Sequence, residues 1–212
     1  MRVQRAARAA DQPQPAPADL VVRRTAPAPV TPDPPSAPER SAGSTAVSGE
    51  VELDVSALGD GPELLGAVVV ALVAALRQEG LLDGAADLRL VVVGTDGLAG
   101  GRGDRAGDLS ASGIAGLLGG LGDVPPASAT TLTVVDARSV RARVSGDWGL
   151  GDSGVLATLH AVRPVVVPIR RPTGLVLGER QLATLTVGTD GRTGPALVRA
   201  LDAVTEAVGS FR

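Results

Sequence analysis

The chain has 212 residues, no cysteine and a formal net charge of −3 at pH 7. Disulfide and thiol chemistry are therefore excluded, and the acidic balance gives no reason to expect a nucleic-acid partner. Lysine, asparagine and tyrosine are also absent, and all 20 basic residues are arginine, which excludes a Schiff-base lysine, a P-loop lysine and a phenolic acid from any mechanism. We expect a cytoplasmic protein with no membrane span and no metal site.

The N-terminal region, residues 1–47, differs in composition from the rest of the chain. Nine of the sixteen prolines lie between Pro13 and Pro38, and apolar residues scarcely cluster there. Such a segment buries too little apolar surface to fold alone, so we predict a disordered or extended arm. Its short apolar patch at residues 20–22 could instead dock on a neighbouring subunit. Residues 48–212 are predicted to form one domain.

The domain opens with a predicted strand and an apolar helix. Val51, Leu53 and Val55 alternate with polar residues, which is the pattern of a half-buried strand. Residues 62–79 carry apolar side chains on nearly every face, which predicts a buried helix that ends at Gly80. Its apolar run is shorter than the roughly 20 residues that cross a bilayer. We therefore predict a core helix.

A glycine-rich segment follows the next predicted strand, residues 88–93. Gly101, Gly103 and Ala106 have G-x-G-x-x-A spacing, but a dinucleotide-binding turn needs its glycines directly after the strand, and these stand several residues beyond it. Dinucleotide binding is therefore not predicted. Because glycine weakens strands and supplies no packing surface, we expect residues 99–103 to lose strand structure.

A glycine-rich helix and a buried strand come next. Asp108 or Ser110 is placed to cap the helix, whose glycines make it dependent on tertiary contacts. Residues 130–135, TTLTVV, predict a strand that ends at Val135. Thr133 lies two residues earlier and therefore on the same face of that strand.

His160 is the only histidine, and it lies in a predicted strand, residues 155–162. A single histidine in an apolar strand is typical of a packed, hydrogen-bonded core residue. Histidine is nevertheless the only side chain here whose ordinary pKa lies near neutrality, so His160 is also a candidate general base. Downstream, residues 164–168 and 175–177 predict short strands around a turn at residues 170–174.

Residues 185–201, LTVGTDGRTGPALVRAL, predict a strand, a tight turn and a helix. β-Branched residues favour the strand, residues 188–194 supply the turn, and Pro195 suits the first turn of the helix. The helix, residues 195–208, repeats apolar residues along one face, which predicts that it packs on a sheet.

This last stretch resembles the C-terminal signature of the 2-oxoacid dehydrogenase acyltransferases, a strand followed by His-Arg-x-x-Asp-Gly and an arginine-containing helix. A gapless comparison places Thr189 at the family's histidine and Thr193 at its aspartate, whereas Gly194 and Arg199 match. The strand at residues 130–135 resembles the family's TFTISN strand, with Val135 at the position whose hydroxyl binds the oxyanion. The resemblance extends in order over residues 51–208.

The resemblance implies an α/β fold with a chloramphenicol acetyltransferase-like mixed sheet flanked by helices, and a trimer with active sites between subunits. It also implies a histidine that accepts the proton of a CoA or dihydrolipoyl thiol, which then attacks a thioester. Thr189 is no base of that kind, Thr193 lacks the carboxylate, and Val135 lacks the oxyanion donor.

We therefore predict a catalytically degenerate acyltransferase-like protein, a pseudoenzyme that acts in assembly or binding without a cofactor. Its expected partners are further copies in a homotrimer, or an active acyltransferase paralogue. The alternative is a repurposed enzyme that uses His160, Asp190 or an arginine on a CoA, lipoyl or carrier thioester. A third possibility is an unrelated small-molecule-binding module, which would be a monomer.

Overall fold

The strands and helices follow the order that the sequence pattern predicts, except at residues 97–103 and in the predicted hairpin, as described below. The computed structural model describes residues 47–126, 128, 130–141, 154–172, 174–189 and 194–211. Apart from Val47, the predicted arm lies outside the described residues. The elements are β1 (Val47–Asp54), α1 (Pro62–Gln78), β2 (Asp87–Gly94), β3 (Gly97–Gly103), a 3-10 turn (Ala106–Asp108), α2 (Ala111–Leu118), β4 (Thr131–Ala137), β5 (Val155–His160), β6 (Arg163–Arg171), β7 (Gly174–Thr189) and α3 (Gly194–Gly209).

The strands of the described part of the chain form one mixed sheet. Its order is β1-β7-β5-β4-β2-β3, and β6 pairs with β7. β2, β4 and β5 run parallel to one another, whereas the other pairings are antiparallel. α1 and α3 pack on each other, and α3 also packs on β1. The predicted mixed sheet flanked by helices is confirmed.

α1 is the helix around which the core forms. It begins with Pro62 and Glu63 in its first turn, where the missing amide of proline and the charge of a carboxylate both suit a helix start. It ends before Gly80, as predicted, because the φ of 69° at that residue favours glycine. Within the described segments, no helix is long and apolar enough to cross a membrane.

The predicted loss of strand structure in the glycine-rich segment is wrong, since Gly97–Gly103 form β3 at one edge of the sheet. β3 pairs with β2 along its whole length. An added Cβ at Gly100 would lie 2.8 Å from both Val124 Cα and Pro125 Cδ, and two backbone hydrogen bonds of 2.9 Å join Gly100 to Gly122. Glycine here permits a close backbone approach, so the strand persists.

α2 depends on a cap and on its contact with α1. The Oγ of Ser110 accepts a hydrogen bond of 3.1 Å from the amide of Gly113, so Ser110 and not Asp108 provides the N-cap. An added Cβ at Gly66 of α1 would lie 2.6 Å from the carbonyl oxygen of Ala111. The two helices therefore approach each other closely at the start of α2.

The predicted hairpin of two short strands is one long ribbon. β7 is a single strand of 16 residues: its first half pairs with β6 and its second half with β1 and β5. Between the β5 and β6 pairings, residues 160–162 stand opposite Ala183 and Thr184, and this extra residue is a β-bulge. We refer to β6 with residues 174–182 as the ribbon.

Candidate functional site

The sheet has two chemically different faces. On the face covered by α1 and α3, which we call the helical face, the strands contribute buried aliphatic side chains. Because side chains alternate along a strand, the residues between them lie on the other side, which we call the threonine face. Its central members are Thr133, Val135, Thr158, His160, Thr184 and Thr186.

Thr189 is the last residue of β7. It pairs with Val47 of β1 and with Val155 of β5, and it is 8% exposed. Strand alternation places it on the helical face. An alkyl hydroxyl is far too weak a base to deprotonate a thiol near neutral pH. The other signature candidates, Asp190 and Thr193, lie outside the described residues.

Arg199, the matching arginine of the signature, connects two helices. Its Nε and Nη2 each lie 2.7 Å from Oε2 of Glu79, just beyond the end of α1. The arginine side chain is 61% exposed, and an ion pair of that kind stabilises a fold by at most about 1 kcal/mol. Arg199 thus fastens α3 to α1.

Val135 lies in β4 between Val91 of β2 and Thr158 of β5 and is fully buried. It belongs to a small apolar cluster with Val91 and Ala137, and its side chain has no hydrogen-bond donor for an oxyanion. With strands about 4.8 Å apart and a rise of about 3.3 Å per residue, Val135 and Thr189 are roughly 14 Å apart. A single chain therefore does not bring the two family positions together.

His160 ends β5 on the threonine face. It is 4% exposed, and its Nε2 lies 3.1 Å from Oγ1 of Thr186. Val155, the partner of Thr189, lies five residues earlier in β5, so His160 stands roughly 16 Å from Thr189 along the strand. The structure joins the histidine to Thr186, which sequence reasoning missed although threonine alternates with leucine at that point of β7.

A second polar cluster lies where the carboxyl end of β4 meets the start of α1. Arg138 donates from Nε and Nη2 to the two carboxylate oxygens of Asp136, both at 2.9 Å. Its Nη1 donates to the Gly61 carbonyl at 2.9 Å and to Asp60 Oδ1 at 3.2 Å. Burial lowers the pKa of Arg138, but the pairing with Asp136 and Asp60 outweighs burial and raises its pKa overall. The guanidinium stays charged and ties β4 to α1.

The same cluster lines a surface cleft of about 240 Å³, formed by Asp60, Val92, Asp136, Arg138 and Ser139. Its charged groups satisfy one another, and the Ser139 hydroxyl donates to the Val93 carbonyl. Sequence reasoning missed this cluster, although an acid and a base two residues apart directly after a buried strand are a signal for it. In the described ranges, no three His, Asp or Glu side chains converge on a position for a metal ion.

Two ion pairs hold β1 to the ribbon. Arg163 pairs with Glu52, and Arg180 pairs with Asp54. The Oδ1 of Asp54 also accepts hydrogen bonds from the hydroxyl and the amide of Ser56, at 2.6 and 3.2 Å. Partial burial raises the pKa of Asp54, but the hydrogen bonds from Ser56 and the charge of Arg180 outweigh it and lower the pKa overall.

The fold matches solved catalytic cores of acyltransferases. A probable dihydrolipoamide acetyltransferase from Listeria monocytogenes is 16% identical with a TM-score of 0.58, over 79% of this chain and 86% of that one. The cubic core of the pyruvate dehydrogenase multienzyme complex is 12% identical with a TM-score of 0.60, over 80% and 84%. The Azotobacter vinelandii dihydrolipoamide acetyltransferase, a structure concerned with a serine, a histidine and an asparagine in the catalytic mechanism, is 12% identical with a TM-score of 0.58, over 80% and 84%.

Comparison at the level of sequence finds less. No protein-family model matches the chain, and no curated protein matches it. At identities of 12–16%, the structural matches establish the fold. The chain therefore has the acyltransferase catalytic-core fold that the resemblance implied.

Proposed function

We propose that this chain is an acyltransferase-like protein that no longer transfers acyl groups and acts in assembly or binding. The observation that carries the proposal is Thr189, because the position that the resemblance assigns to the catalytic base holds a buried hydroxyl. His160, the one histidine of the sequence, stands roughly 16 Å away along β5. A thiol held near Thr189 would meet no histidine from its own chain.

Val135 supports the same proposal, because it cannot stabilise the oxyanion of the transition state. Its buried isopropyl group lies among other apolar side chains, where the family places a hydroxyl that binds the oxyanion. A single oxyanion donor is worth about 10²–10³ in rate, and a general base about 10²–10⁴. A chain without either group would transfer acyl groups at a rate close to background.

The assembly role is supported by the solved structures that share the fold. One of them is the cubic core of a multienzyme complex, so the fold is compatible with large symmetric assemblies. We infer a homotrimer, or a mixed assembly with an active acyltransferase paralogue. CoA or a lipoyl or carrier thioester would be a ligand only if activity survives. A cytoplasmic location remains a prediction.

An acetyl-transfer assay tests the loss of activity. Acetyl-CoA and dihydrolipoamide are incubated with the full chain and with the variants Thr189→Ala and His160→Ala, and S-acetyldihydrolipoamide is measured by chromatography. We expect all three proteins to match the protein-free rate, while an active dihydrolipoamide acetyltransferase gives product. Wild-type turnover that Thr189→Ala lowers at least tenfold would contradict the proposal, provided that the exposed control Thr205→Ala retains it.

The pair of His160 and Thr186 favours the second candidate, a repurposed enzyme. A base nitrogen 3.1 Å from a hydroxyl has the separation of a base and its nucleophile. This candidate predicts slow thioester hydrolysis that both His160→Ala and Thr186→Val abolish, with Thr189→Ala unaffected. Hydrolysis at the protein-free rate in the wild type would exclude it.

A further inference from the structure

The helical face of the sheet continues along β7 into the ribbon, beyond the part that α1 and α3 cover. Ala183, Leu185 and Val187 are buried there, whereas Leu175 and Leu177 on the same side of the strand are 71% and 76% exposed. Alternation along one strand places all five in a single row, in which the polar residues Glu179 and Gln181 separate the two exposed leucines from the buried residues. The row is covered at one end and, in the described part of the chain, open at the other.

The β6 strand completes this open surface. The register places Val166 opposite Glu179, Pro168 opposite Leu177 and Arg170 opposite Leu175, and Val166 is 66% exposed. We call Val166, Pro168, Leu175 and Leu177 the ribbon face. It is an apolar patch with Arg170 at its tip and the exposed Glu179 at its other end.

The other side of the ribbon is less exposed. There Ile169 lies across Gly178 in contact with it, the side chains of β6 are half-buried, and Arg163 and Arg180 pair with acids of β1. Val176 on that side is 37% exposed, well below the 66–76% of Val166, Leu175 and Leu177, so the ribbon face is the less covered of the two sides. Because a two-stranded ribbon is at best marginally stable in water, and a sheet face must be covered by another layer, the ribbon face needs a partner.

The outer edge of β6 is unsuited to pairing with a strand of the partner. Pro164 and Pro168 have no amide N–H, and proline is tolerated in a strand only where the missing donor faces away from the neighbouring strand. The edge that faces away from β7 therefore lacks two of its donors, which blocks the addition of another strand. The partner must pack on the side chains of the ribbon face.

We propose that the ribbon face packs against the outward side of α3 in a second copy of this chain, an inference that rests on the assembly role proposed above. That side of α3 presents Val198, which is 59% exposed, with the exposed acids Asp202 and Glu206 one and two turns later. In the described part of the chain these acids form no ion pair. They complement Arg170, which lies at the tip of the ribbon face, and its neighbour Arg171 on the opposite side of β6. Neither arginine has an ion pair among the described residues.

The contact extends the architecture of the domain from one copy to the next. Within a chain, helices cover the helical face, and in the assembly a helix of the second copy covers its continuation. Two copies can exchange this contact reciprocally about a two-fold axis, or each copy can offer its ribbon to one neighbour and its α3 to another in a closed ring. The homotrimer inferred above is a ring of the second kind.

Sedimentation velocity and native mass spectrometry of the full chain test the proposal. We expect the wild type to form an oligomer and the variant Leu175→Ser/Leu177→Ser to be monomeric over the same concentrations. Leu98→Ser is the matched control, because Leu98 is 42% exposed on β3 at the opposite edge of the sheet. Circular dichroism must show that the double variant keeps the wild-type secondary structure.

Charge exchange tests the identity of the partner surface. Arg170→Glu/Arg171→Glu should weaken assembly at least tenfold in dissociation constant, and Asp202→Arg/Glu206→Arg should do the same. A mixture of the two double variants, in which opposite charges meet again, should recover the wild-type oligomer to within about a factor of three.

Three outcomes would overturn the proposal: a monomeric wild type, a ribbon variant that assembles like the wild type, or charge variants that fail to rescue each other. Sedimentation reads assembly and product formation reads acyl transfer, so a failure of this interface and a failure of the proposed function are seen in separate measurements.

Discussion

Arg138 connects two elements that are far apart in sequence. Its guanidinium covers the carboxylate of Asp136, whose side chain is only 8% exposed. Arg138→Ala should lower the free energy of unfolding by about 3 kcal/mol, because breaking a buried pair leaves a charge without compensation. Urea denaturation measures the change. Arg105→Ala, with a side chain that is 74% exposed, is the control and should stay within about 0.5 kcal/mol of wild type. Equal losses in the two variants would contradict this view of Arg138.

Asp54 predicts part of the acid sensitivity of the fold. The hydrogen bonds from Ser56 and Arg180 lower its pKa relative to the ordinary value of 3.8. A lowered folded-state pKa means that the stabilisation is complete above the unfolded pKa and is lost as pH falls through the folded one. Asp54→Asn should therefore lose less stability than wild type on acidification below about pH 5, measured as denaturant midpoints. Parallel curves for the two proteins would count against this role.

The sequence predicts residues well where neighbours along the chain decide their position. Alternation placed Thr133 and Val135 on one face of β4, and capping chemistry identified Ser110 as a candidate cap. The sequence did not predict the partners of Arg138. Asp60 lies 78 residues away, and no local sequence pattern indicates a contact at that separation.

Among the elements, β3 and α2 show that glycine has opposite consequences in different surroundings. At Gly100 a Cβ would collide with the backbone of Val124, whereas at Gly116 of α2 nothing lies within 4 Å. Gly100→Ala should destabilise the fold by about 1–3 kcal/mol through overpacking, and Gly116→Ala should stabilise it by about 0.5–1 kcal/mol through helix propensity. Thermal and urea unfolding of the two variants measure both signs. A stabilising Gly100→Ala would show that the crossing at Gly122 is loose.

The ribbon shows the limit of the sequence at the scale of an element. The prediction divided β7 into residues 175–177 and a strand that ends before the turn at residues 188–194, and it shortened β6 to residues 164–168. In the structure Gly178 lies under Ile169, and the strand passes through it. Glycine that makes room for a side chain across a sheet cannot be distinguished, in one sequence, from glycine that turns the chain.

For the whole molecule, the fold was predicted from the resemblance of several motifs, in their order along the chain, to the acyltransferases. The solved cores share only 12–16% of residues with this chain, yet the sheet and its helices match. The packing of a sheet against helices needs apolar residues at the spacing of strands and helices, and it tolerates many substitutions of one apolar residue by another. A catalytic site tolerates few, so a residue-by-residue transfer of roles predicts what is missing at Thr189 and Val135 but does not by itself reveal a replacement.

The bulge at residues 160–162 decides which side of the sheet the side chains of β6 face, although it lies outside the ribbon. Alternation puts the odd-numbered residues of β5 on the helical face, and the extra residue shifts that assignment to the even-numbered residues of β6. Without it, Val165, Val167 and Ile169 would occupy the side on which Val166 and Pro168 now lie. A one-residue deletion that removes the bulge would thus exchange the two sides of β6 and take Val166 and Pro168 away from the side on which Leu175 and Leu177 lie.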